Sequence, residues 1–332
     1  MSRSTRLAFL IAGAALLALL VIRIDVVGVR RAVAAADVRL LAAAGGLLAV
    51  NILIKALRWQ VMVHRLTGAR LDLPSAVTSI FAGVAAASFS PARTVDLAKP
   101  MLLKQRLGVG LATSTGAVLV ERYLDGAALV VLFGASIALV PVARGSQFQP
   151  ALAAAGILLV AGIIALASPE MVRTLMTRLI QRLPLPIEIR EGSARVTDAF
   201  ASSLALWRTR RNIWLLLGMS VLAALCEAAR LVAVFGAMRE PLGLAGGMLV
   251  FSAANLVAIL ALIPGGIGIT ELSMAGVAAL VLRTTAIRGS IVAAVVLDRL
   301  LSYYLVVGIG ALILIGMSRI TRRQTVAGQS DG

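Results

Sequence analysis

The chain has very little of the side chains that build disulfides, metal sites and most hydrolytic active sites. Its 332 residues include one cysteine, Cys226, and one histidine, His64. One cysteine excludes a disulfide within the chain, and one histidine excludes a histidine-cluster metal site. We therefore expect no metal and no other cofactor, and Cys226 is most simply a small buried apolar residue.

Charged residues are also scarce. They make up 14% of the chain, whereas apolar residues make up 60%. Soluble domains carry about a quarter charged and about half apolar residues, so a soluble fold would lack the polar sequence needed to cover its core. Uncharged stretches such as residues 151–167 are long enough to cross a bilayer. The composition predicts an all-α, polytopic integral membrane protein.

Acidic residues are outnumbered by Lys and Arg, 15 to 32, and aromatic residues are only 4% of the chain. The basic residues lie in loops and tails without interleaved aromatics, so nucleic acid is not an expected partner. They instead mark cytoplasmic loops. The densest loop, residues 168–211, has eight arginines. We expect it to be cytoplasmic and to carry an amphipathic helix on the inner leaflet.

Loop charges predict a protein of the cytoplasmic (inner) membrane with both termini in the cytoplasm. About six full spans are expected, at residues 7–22, 40–57, 119–140, 151–167, 213–235 and 291–315. Two further apolar segments, 75–107 and 244–282, are broken by proline or glycine and either span fully or re-enter as hairpins. The prediction is one transmembrane domain, 1–318, and a disordered cytoplasmic tail, 319–332.

Two parts of the chain share one pattern. The first part contains KALR (55–58), SPARTVD (90–96) and VLVER (118–122), and the second contains EAAR (227–230), IPGGIGITE (263–271) and VVLDR (295–299). Repeat one, about 38–140, and repeat two, about 212–317, should enter the membrane from opposite sides. Inverted repeats with broken helices near the midplane are typical of secondary transporters.

The first break carries three charges close together. Pro91 stops the helix, and Arg93, Asp96 and Lys99 follow at spacings of three, so that Asp96 can hold one or both cations. Helix-start amides with an ordered Arg and Lys suit a phosphate headgroup. The alternative is that these charges simply lie at the inner interface.

The second break is rich in glycine. Pro264, Gly265, Gly266 and Gly268 permit unusual backbone angles, and Glu271 stands at the start of the next helix. An ionised carboxylate flanked by apolar sequence costs ~2.5 kcal/mol or more at mid-bilayer. Glu271 therefore needs an arginine, a proton or water, unless it only caps helix amides.

Charged residues also begin the helices that follow the breaks: Glu121, Arg122 and Asp125 in repeat one, Asp298 and Arg299 in repeat two. Arg122 can reach Asp125 at a spacing of three, which leaves Glu121 free to meet a break from another segment. We expect the acids to orient the arginines and at least one acid to titrate, with purely structural ion pairing as the alternative.

A further charge pair lies within a predicted span. Glu227 and Arg230 are one turn apart and can neutralise each other. Because Arg230 matches Arg58 in the repeat, the alternative is that the two arginines lie on either side of a shared cavity.

Taken together, these motifs resemble the lysylphosphatidylglycerol synthase transmembrane (flippase-like) family over about residues 5–318. The match lies in the proline-Arg-x-x-acid-x-x-basic segment 91–99, Glu121-Arg122 with Asp125, and the glycine segment ending at Glu271 with Asp298-Arg299. The resemblance implies movement of lipid or lipid-linked headgroups between leaflets. The family's first motif usually reads Arg-x-Gly-Glu, whereas Val95 and Asp96 stand here. No long hydrophilic region exists for a soluble aminoacyl-transfer domain, so synthase activity is not implied.

The leading hypothesis is a lipid translocase rather than an enzyme. An anionic or lipid-linked headgroup would be captured by Arg93, Lys99, Arg122 and Arg299, with Glu271 and Asp298 as gating or proton-coupled acids. An intramembrane lipid-phosphate enzyme is less favoured because no serine or cysteine nucleophile stands beside a base. A membrane partner that recruits a lipid- or glycan-modifying enzyme, and a small-ion exchanger, remain alternatives. Membrane lipids are the expected partners, together with an enzyme or a second copy of the chain.

Overall fold

The computed structural model describes residues 33–88, 96, 98–140, 168–182, 212–261 and 264–330, with isolated positions (153, 157, 194, 197–198, 201–202) in between. Within these ranges the chain is helical and has no strand. The predicted spans 7–22 and 151–167 lie outside the described residues. Four described helices are long and apolar enough to cross a membrane: Val38–Thr67, Leu111–Leu139, Ile213–Ala237 and Gly289–Met317. The prediction of an all-α, multi-pass membrane protein is confirmed.

Repeat one consists of two long helices around a broken pair of short ones. Helix α1 (Val38–Thr67) is followed by α2 (Leu73–Ser88), α3 (Ala98–Leu107) and α4 (Leu111–Leu139). Asp37 begins α1 by accepting the Arg39 N–H at 2.8 Å, and Gly68 ends it with a left-handed φ of 73°. The predicted proline break at 90–96 lies, apart from Asp96, outside the described residues.

An amphipathic helix lies between the repeats. Helix α5 (Pro169–Arg182) lies in the arginine-rich loop, where the sequence predicts it. Met171, Leu175 and Leu179 follow one another at intervals of four and are exposed, so they form one apolar stripe.

Repeat two has the same plan as repeat one. Helix α6 (Asn212–Ala237) leads to α7 (Leu244–Leu260), a short 3₁₀ turn (Pro264–Gly266) and α8 (Ile269–Val281). The last span consists of α9 (Gly289–Arg299), a π-helical turn (Leu300–Tyr304) and α10 (Leu305–Ser330). Helix α10 extends to Ser330, whereas the sequence predicts a tail from residue 319. Extending an existing helix needs no new nucleus.

The two repeats are inverted relative to each other. Helices α1 and α6 form the most extensive contact, and they run antiparallel. The Asp37 N–H at the start of α1 donates to the Ala237 carbonyl at the end of α6 (3.1 Å), whereas Arg58, late in α1, contacts Ser220, early in α6. The orientation that loop charges predict for the duplicated units is therefore the orientation observed.

The short helices pack across the repeats. Helix α2 of repeat one lies against α10 of repeat two, and α7 of repeat two lies against α4 of repeat one. At the first crossing a Cβ on Gly310 would be 2.1 Å from the Phe81 carbonyl oxygen. This close approach of two backbones is the way small residues join helices in a membrane.

Each repeat also has an apolar core of its own. One cluster is built mainly from α1 to α4 around Trp59 and Leu124, and another mainly from α6 to α9 around Phe235 and Ile291. Smaller apolar clusters join the repeats, among them one between α4 and α7 that contains Phe133 and Leu249. The fold therefore consists of two packed halves that also share apolar contacts.

Candidate functional site

A cavity of about 500 Å³ lies between the repeats. Its walls come from the middle of the long helices and from the ends of α2, α7 and α8 next to the breaks. Apolar residues such as Val84, Leu256 and Met274 cover much of the wall. The charged residues that line it come from both repeats: Lys55, Arg122, Asp125, Glu227, Arg230, Asp298 and Arg299.

In repeat one, Arg58 is the centre of a buried ion network. Its Nη2 donates to Glu121 at 2.9 Å and its Nη1 to Asp125 at 2.5 Å. Glu121 also accepts from Lys99 Nζ at 2.6 Å, and that ammonium lies 4.8 Å from the centre of the Trp59 ring. Glu121 therefore joins α1 and α4 to the segment after the first break. The sequence predicts that Glu121 can make such a contact, because it does not pair with its neighbour Arg122.

Asp96 closes the network on the side of the break. Its Oδ1 accepts the Lys99 N–H at 3.2 Å, and its Oδ2 lies 3.7 Å from both Lys99 Nζ and Arg122 Nη2. A Cβ on Gly83 would be 2.3 Å from this Oδ2. Glycine at position 83 thus makes the room in which the Asp96 carboxylate lies.

In repeat two, Arg230 has the corresponding position. Its Nε and Nη2 donate to the two oxygens of Asp298 at 2.9 and 3.2 Å, and its Nη1 contacts Glu227. Glu227 and Arg230 pair one turn apart. Arg230 lines the cavity, whereas Arg58 is buried behind it, so the two arginines do not both face the cavity.

Glu271 contacts both an arginine and a backbone amide. Its Oε1 accepts from Arg299 Nε at 2.6 Å, and its Oε2 accepts the Gly268 N–H at 2.7 Å. The carboxylate therefore caps the start of α8 and binds an arginine at the same time. The backbone at Gly265, Gly266 and Gly268 has φ of 67°, 63° and 84°, values that favour glycine.

Two ion pairs of repeat one have equivalents in repeat two. Aligning KALR with EAAR and VLVER with VVLDR makes Arg58–Glu121 equivalent to Arg230–Asp298. Aligning the acids after the breaks makes Arg122–Asp96 equivalent to Arg299–Glu271. The internal duplication is therefore a duplication of contacts as well as of sequence.

One ion pair of the described spanning helices joins the repeats to each other. Its lysine, Lys55, was not among the predicted site residues. Lys55 Nζ lies 3.0 Å from Glu227 Oε1. These two residues are at equivalent positions in KALR and EAAR. Asn51 and Ala223, one turn earlier in each helix, are also equivalent, and Asn51 Nδ2 donates to the Ala223 carbonyl oxygen at 2.7 Å. Among the described spanning helices, no other ion pair crosses between repeats. The sequence did contain a signal for this contact, since the equivalent positions of the two repeats carry opposite charges, Lys55 and Glu227.

The predicted site residues fall into three groups. Those lining the cavity are Arg122, Asp125, Glu227, Arg230, Asp298 and Arg299. Those buried behind it, where they hold the lining residues, are Arg58, Asp96, Lys99, Glu121, Gly265, Gly266, Gly268 and Glu271. Arg93 lies outside the described residues. Lys99 was expected to bind a headgroup. It is instead paired with Glu121, because the fold places this residue of α4 2.6 Å from the Lys99 ammonium.

The arrangement can hold a polar group beside an apolar one within the membrane. Desolvated guanidinium groups bind anionic oxygens strongly, and some donors here have no acceptor among the described residues: the Nε atoms of Arg58 and Arg122 and Nη2 of Arg299. The apolar walls suit acyl or polyprenyl chains.

These features define a class: a polytopic α-helical membrane protein made of two inverted repeats with a charged cavity at their junction. Comparison with known sequences shows the family of the chain. The family model for the lysylphosphatidylglycerol synthase TM region matches residues 6–310, and the chain belongs to that family. It is also similar to a UPF0104 membrane protein from Methanothermobacter thermautotrophicus, with 27% identity over 269 residues, which is 78% of this chain and 78% of the relative.

Proposed function

We propose that this protein is a secondary transporter that moves lipids or lipid-linked headgroups between the leaflets of the cytoplasmic membrane, and that it is not an enzyme. The observation that carries the proposal is the cavity at the junction of the repeats, which has both charged and apolar walls. A translocated lipid needs both, because its headgroup must stay solvated by polar groups while its chains stay in an apolar phase.

The pattern of ion pairs supports movement of one repeat against the other. The buried pairs Arg58–Glu121 and Arg230–Asp298 each lie within one repeat, so rocking leaves them intact. Lys55–Glu227 is the described ion pair that rocking must break, and the Lys55 side chain is 29% exposed. Breaking a partly exposed pair costs little. Rocking about a fixed central site is the usual motion of inverted-repeat transporters.

The proposal includes an orientation. With the arginine-rich loop 168–211 in the cytoplasm, both termini are cytoplasmic. Helix α5 then lies on the inner leaflet with Met171, Leu175 and Leu179 among the lipid chains. The substrate has an anionic or lipid-linked headgroup, because the cavity wall offers arginine donors.

The test is lipid flux in liposomes that contain the purified protein. Phospholipids and polyprenyl-phosphate sugars with a fluorescent label are placed in both leaflets, and a membrane-impermeant reductant quenches the outer label. We expect protein-dependent loss of the protected signal for at least one lipid. Flux at the rate of empty vesicles for all of them would reject the proposal.

Two glycines of α4 give a matched pair of variants for this assay. Gly126 lines the cavity, Gly134 is on the exposed face of the same helix, and a Cβ at either meets nothing within 4 Å. Gly126→Leu should reduce flux several-fold because it fills the cavity, whereas Gly134→Leu should leave flux unchanged. Equal effects of the two variants would mean that the cavity is not the path.

The apolar stripe of α5 favours a second candidate, a partner that recruits an enzyme to the membrane. The double change Leu175→Glu and Leu179→Glu would remove recruitment while leaving the cavity unaltered. Loss of cellular function with full liposome flux would support the recruiting role. Retention of function with this variant would reject it.

A further inference from the structure

Two equivalent arginines in the cavity wall are held in different ways. Arg299 donates to Glu271 at 2.6 Å, its guanidinium lies 4.3 Å from the centre of the Tyr303 ring, and its side chain is 6% exposed. Arg122 has its nearest acid oxygens at 3.7 Å (Asp96) and 4.0 Å (Asp125), and its side chain is 30% exposed. Within the described part of the chain Arg122 makes no hydrogen bond, since both distances exceed hydrogen-bond range.

The acids after the two breaks differ in length. Asp96 has one methylene fewer than Glu271, and one carbon–carbon bond is about 1.5 Å. The shorter acid makes the longer contact: Asp96 Oδ2 lies 3.7 Å from Arg122 Nη2, whereas Glu271 Oε1 lies 2.6 Å from Arg299 Nε. Asp96 also cannot move toward Arg122 freely, because its Oδ1 accepts the Lys99 N–H at 3.2 Å.

The other described cations of the wall each have an acid within hydrogen-bond range, and for Arg299 that acid is Glu271. Arg230 is bidentate on Asp298, and Lys55 is paired with Glu227. Behind the wall, Lys99 is paired with Glu121. Arg122 combines exposure to the cavity with a guanidinium that no described acid saturates. A planar guanidinium of this kind matches two oxygens of a phosphate group.

We propose that Arg122 binds the phosphate of the transported headgroup, and that the short side chain of Asp96 determines specificity by leaving Arg122 available. The inference rests on the proposed transport function and adds the residue and the ligand chemistry. Asp125 orients Arg122 from one turn away without saturating it. In repeat two Glu271 binds the equivalent Arg299, so the proposed phosphate site lies in repeat one.

The experiment measures binding by calorimetry on the full chain in detergent. The probes are dihexanoyl phosphatidylglycerol, inorganic phosphate, and dihexanoylglycerol, which lacks the phosphate. The wild type should bind the phospholipid and not the diacylglycerol. Arg122→Gln should weaken binding at least about tenfold, the effect of losing a charge-assisted hydrogen bond. Asp96→Glu should weaken it similarly, because the longer carboxylate reaches Arg122. Binding by Asp96→Glu with wild-type affinity would overturn the proposal.

The mirror substitution Glu271→Asp is the matched comparison, and it carries the test if Asp96→Glu does not fold. It should weaken binding of the phospholipid less than Arg122→Gln does, because it alters the partner of Arg299 and leaves Arg122 in place. Equal losses from Glu271→Asp and Arg122→Gln would reject the asymmetry of the two arginines. Thermal unfolding of each variant shows that binding, and not folding, has changed.

Failure of this inference and failure of the transport proposal give different results. Phospholipid flux by the wild type with unchanged binding by Arg122→Gln would overturn the role of Arg122 and leave transport in place. Arg122-dependent binding of the phospholipid without flux in liposomes would support the phosphate site and reject transport. Arg122-dependent binding of inorganic phosphate as tight as that of the phospholipid would support the phosphate chemistry and identify free phosphate as its source.

Discussion

The two repeats share a backbone plan and differ in how many charges they bury. In repeat one, Glu121 has two cations, Arg58 and Lys99. In repeat two, the equivalent Asp298 has Arg230 as its cation among the described residues. Met274 stands where Lys99 would be, three residues after the acid that follows the break. The shared pairs hold the long helices together, so duplication retained them while the surrounding side chains diverged.

The helix crossings differ in the same way. Gly310 lets α10 approach α2 closely, whereas the equivalent position of α4 is Phe133, which packs with Leu249 of α7. One crossing is closed by backbone contact and the other is filled by a large side chain. Equivalent positions of the two repeats therefore differ in the size of side chain that they accept, and substitutions can test this difference.

The largest expected effect comes from the arginines at the centre of each half. Arg230→Met removes the cation of Asp298, and breaking a buried pair from one side costs about 3–5 kcal/mol. Arg58→Met should cost less, because Glu121 keeps Lys99. Thermal unfolding in detergent measures both variants. Equal melting temperatures would show that the extra cation of repeat one does not compensate, and adding Asp298→Leu to Arg230→Met should restore stability.

A smaller effect is expected at the close crossing of α10 and α2. Gly310→Ala would place a methyl group 2.1 Å from the Phe81 carbonyl oxygen and should destabilise the fold by about 1–3 kcal/mol. Gly308→Ala is the control, because its Cβ meets nothing within 4 Å. That change should be neutral or stabilise by up to about 1 kcal/mol. Similar melting temperatures for the two variants would contradict close packing at Gly310.

The smallest effect concerns the pair between the repeats. Lys55→Gln leaves Glu227 bound to Arg230, and the lysine is partly exposed, so the loss of stability should be below about 1 kcal/mol. The flux assay should respond more than the melting temperature if Lys55–Glu227 opens during transport. A large drop in melting temperature would instead show that this pair is a structural link.

The sequence predicted element type and orientation well because these depend on local properties. Apolar runs predicted the four described spans, glycine predicted the second break, and loop charges predicted that the repeats are antiparallel. It predicted the ends of the spans less well. Helix α4 begins at Leu111, before the predicted 119, because Ser114 and Thr115 satisfy their hydroxyls on carbonyls of their own helix.

The site was predicted as a set of residues but not as an arrangement. Glu271 was recognised because a charge in apolar sequence needs a partner, and that partner is Arg299. Lys99 was expected to bind a headgroup, yet the fold places it on Glu121. Such pairings depend on which helix faces meet, and spacing along the chain does not contain that information.

By itself, the sequence determined that this is a duplicated α-helical membrane protein whose charges concentrate at two breaks, because hydrophobicity, turn residues and repeated motifs are properties of the chain. Tertiary structure alone decided which charges neutralise one another and which remain open to the cavity. Arg122 and Arg299 occupy equivalent motifs, and their exposures of 30% and 6% follow from how closely the facing carboxylates approach them. Packing sets the distance from each arginine to its acid, and a difference of about an ångström in that distance separates Arg122 from Arg299.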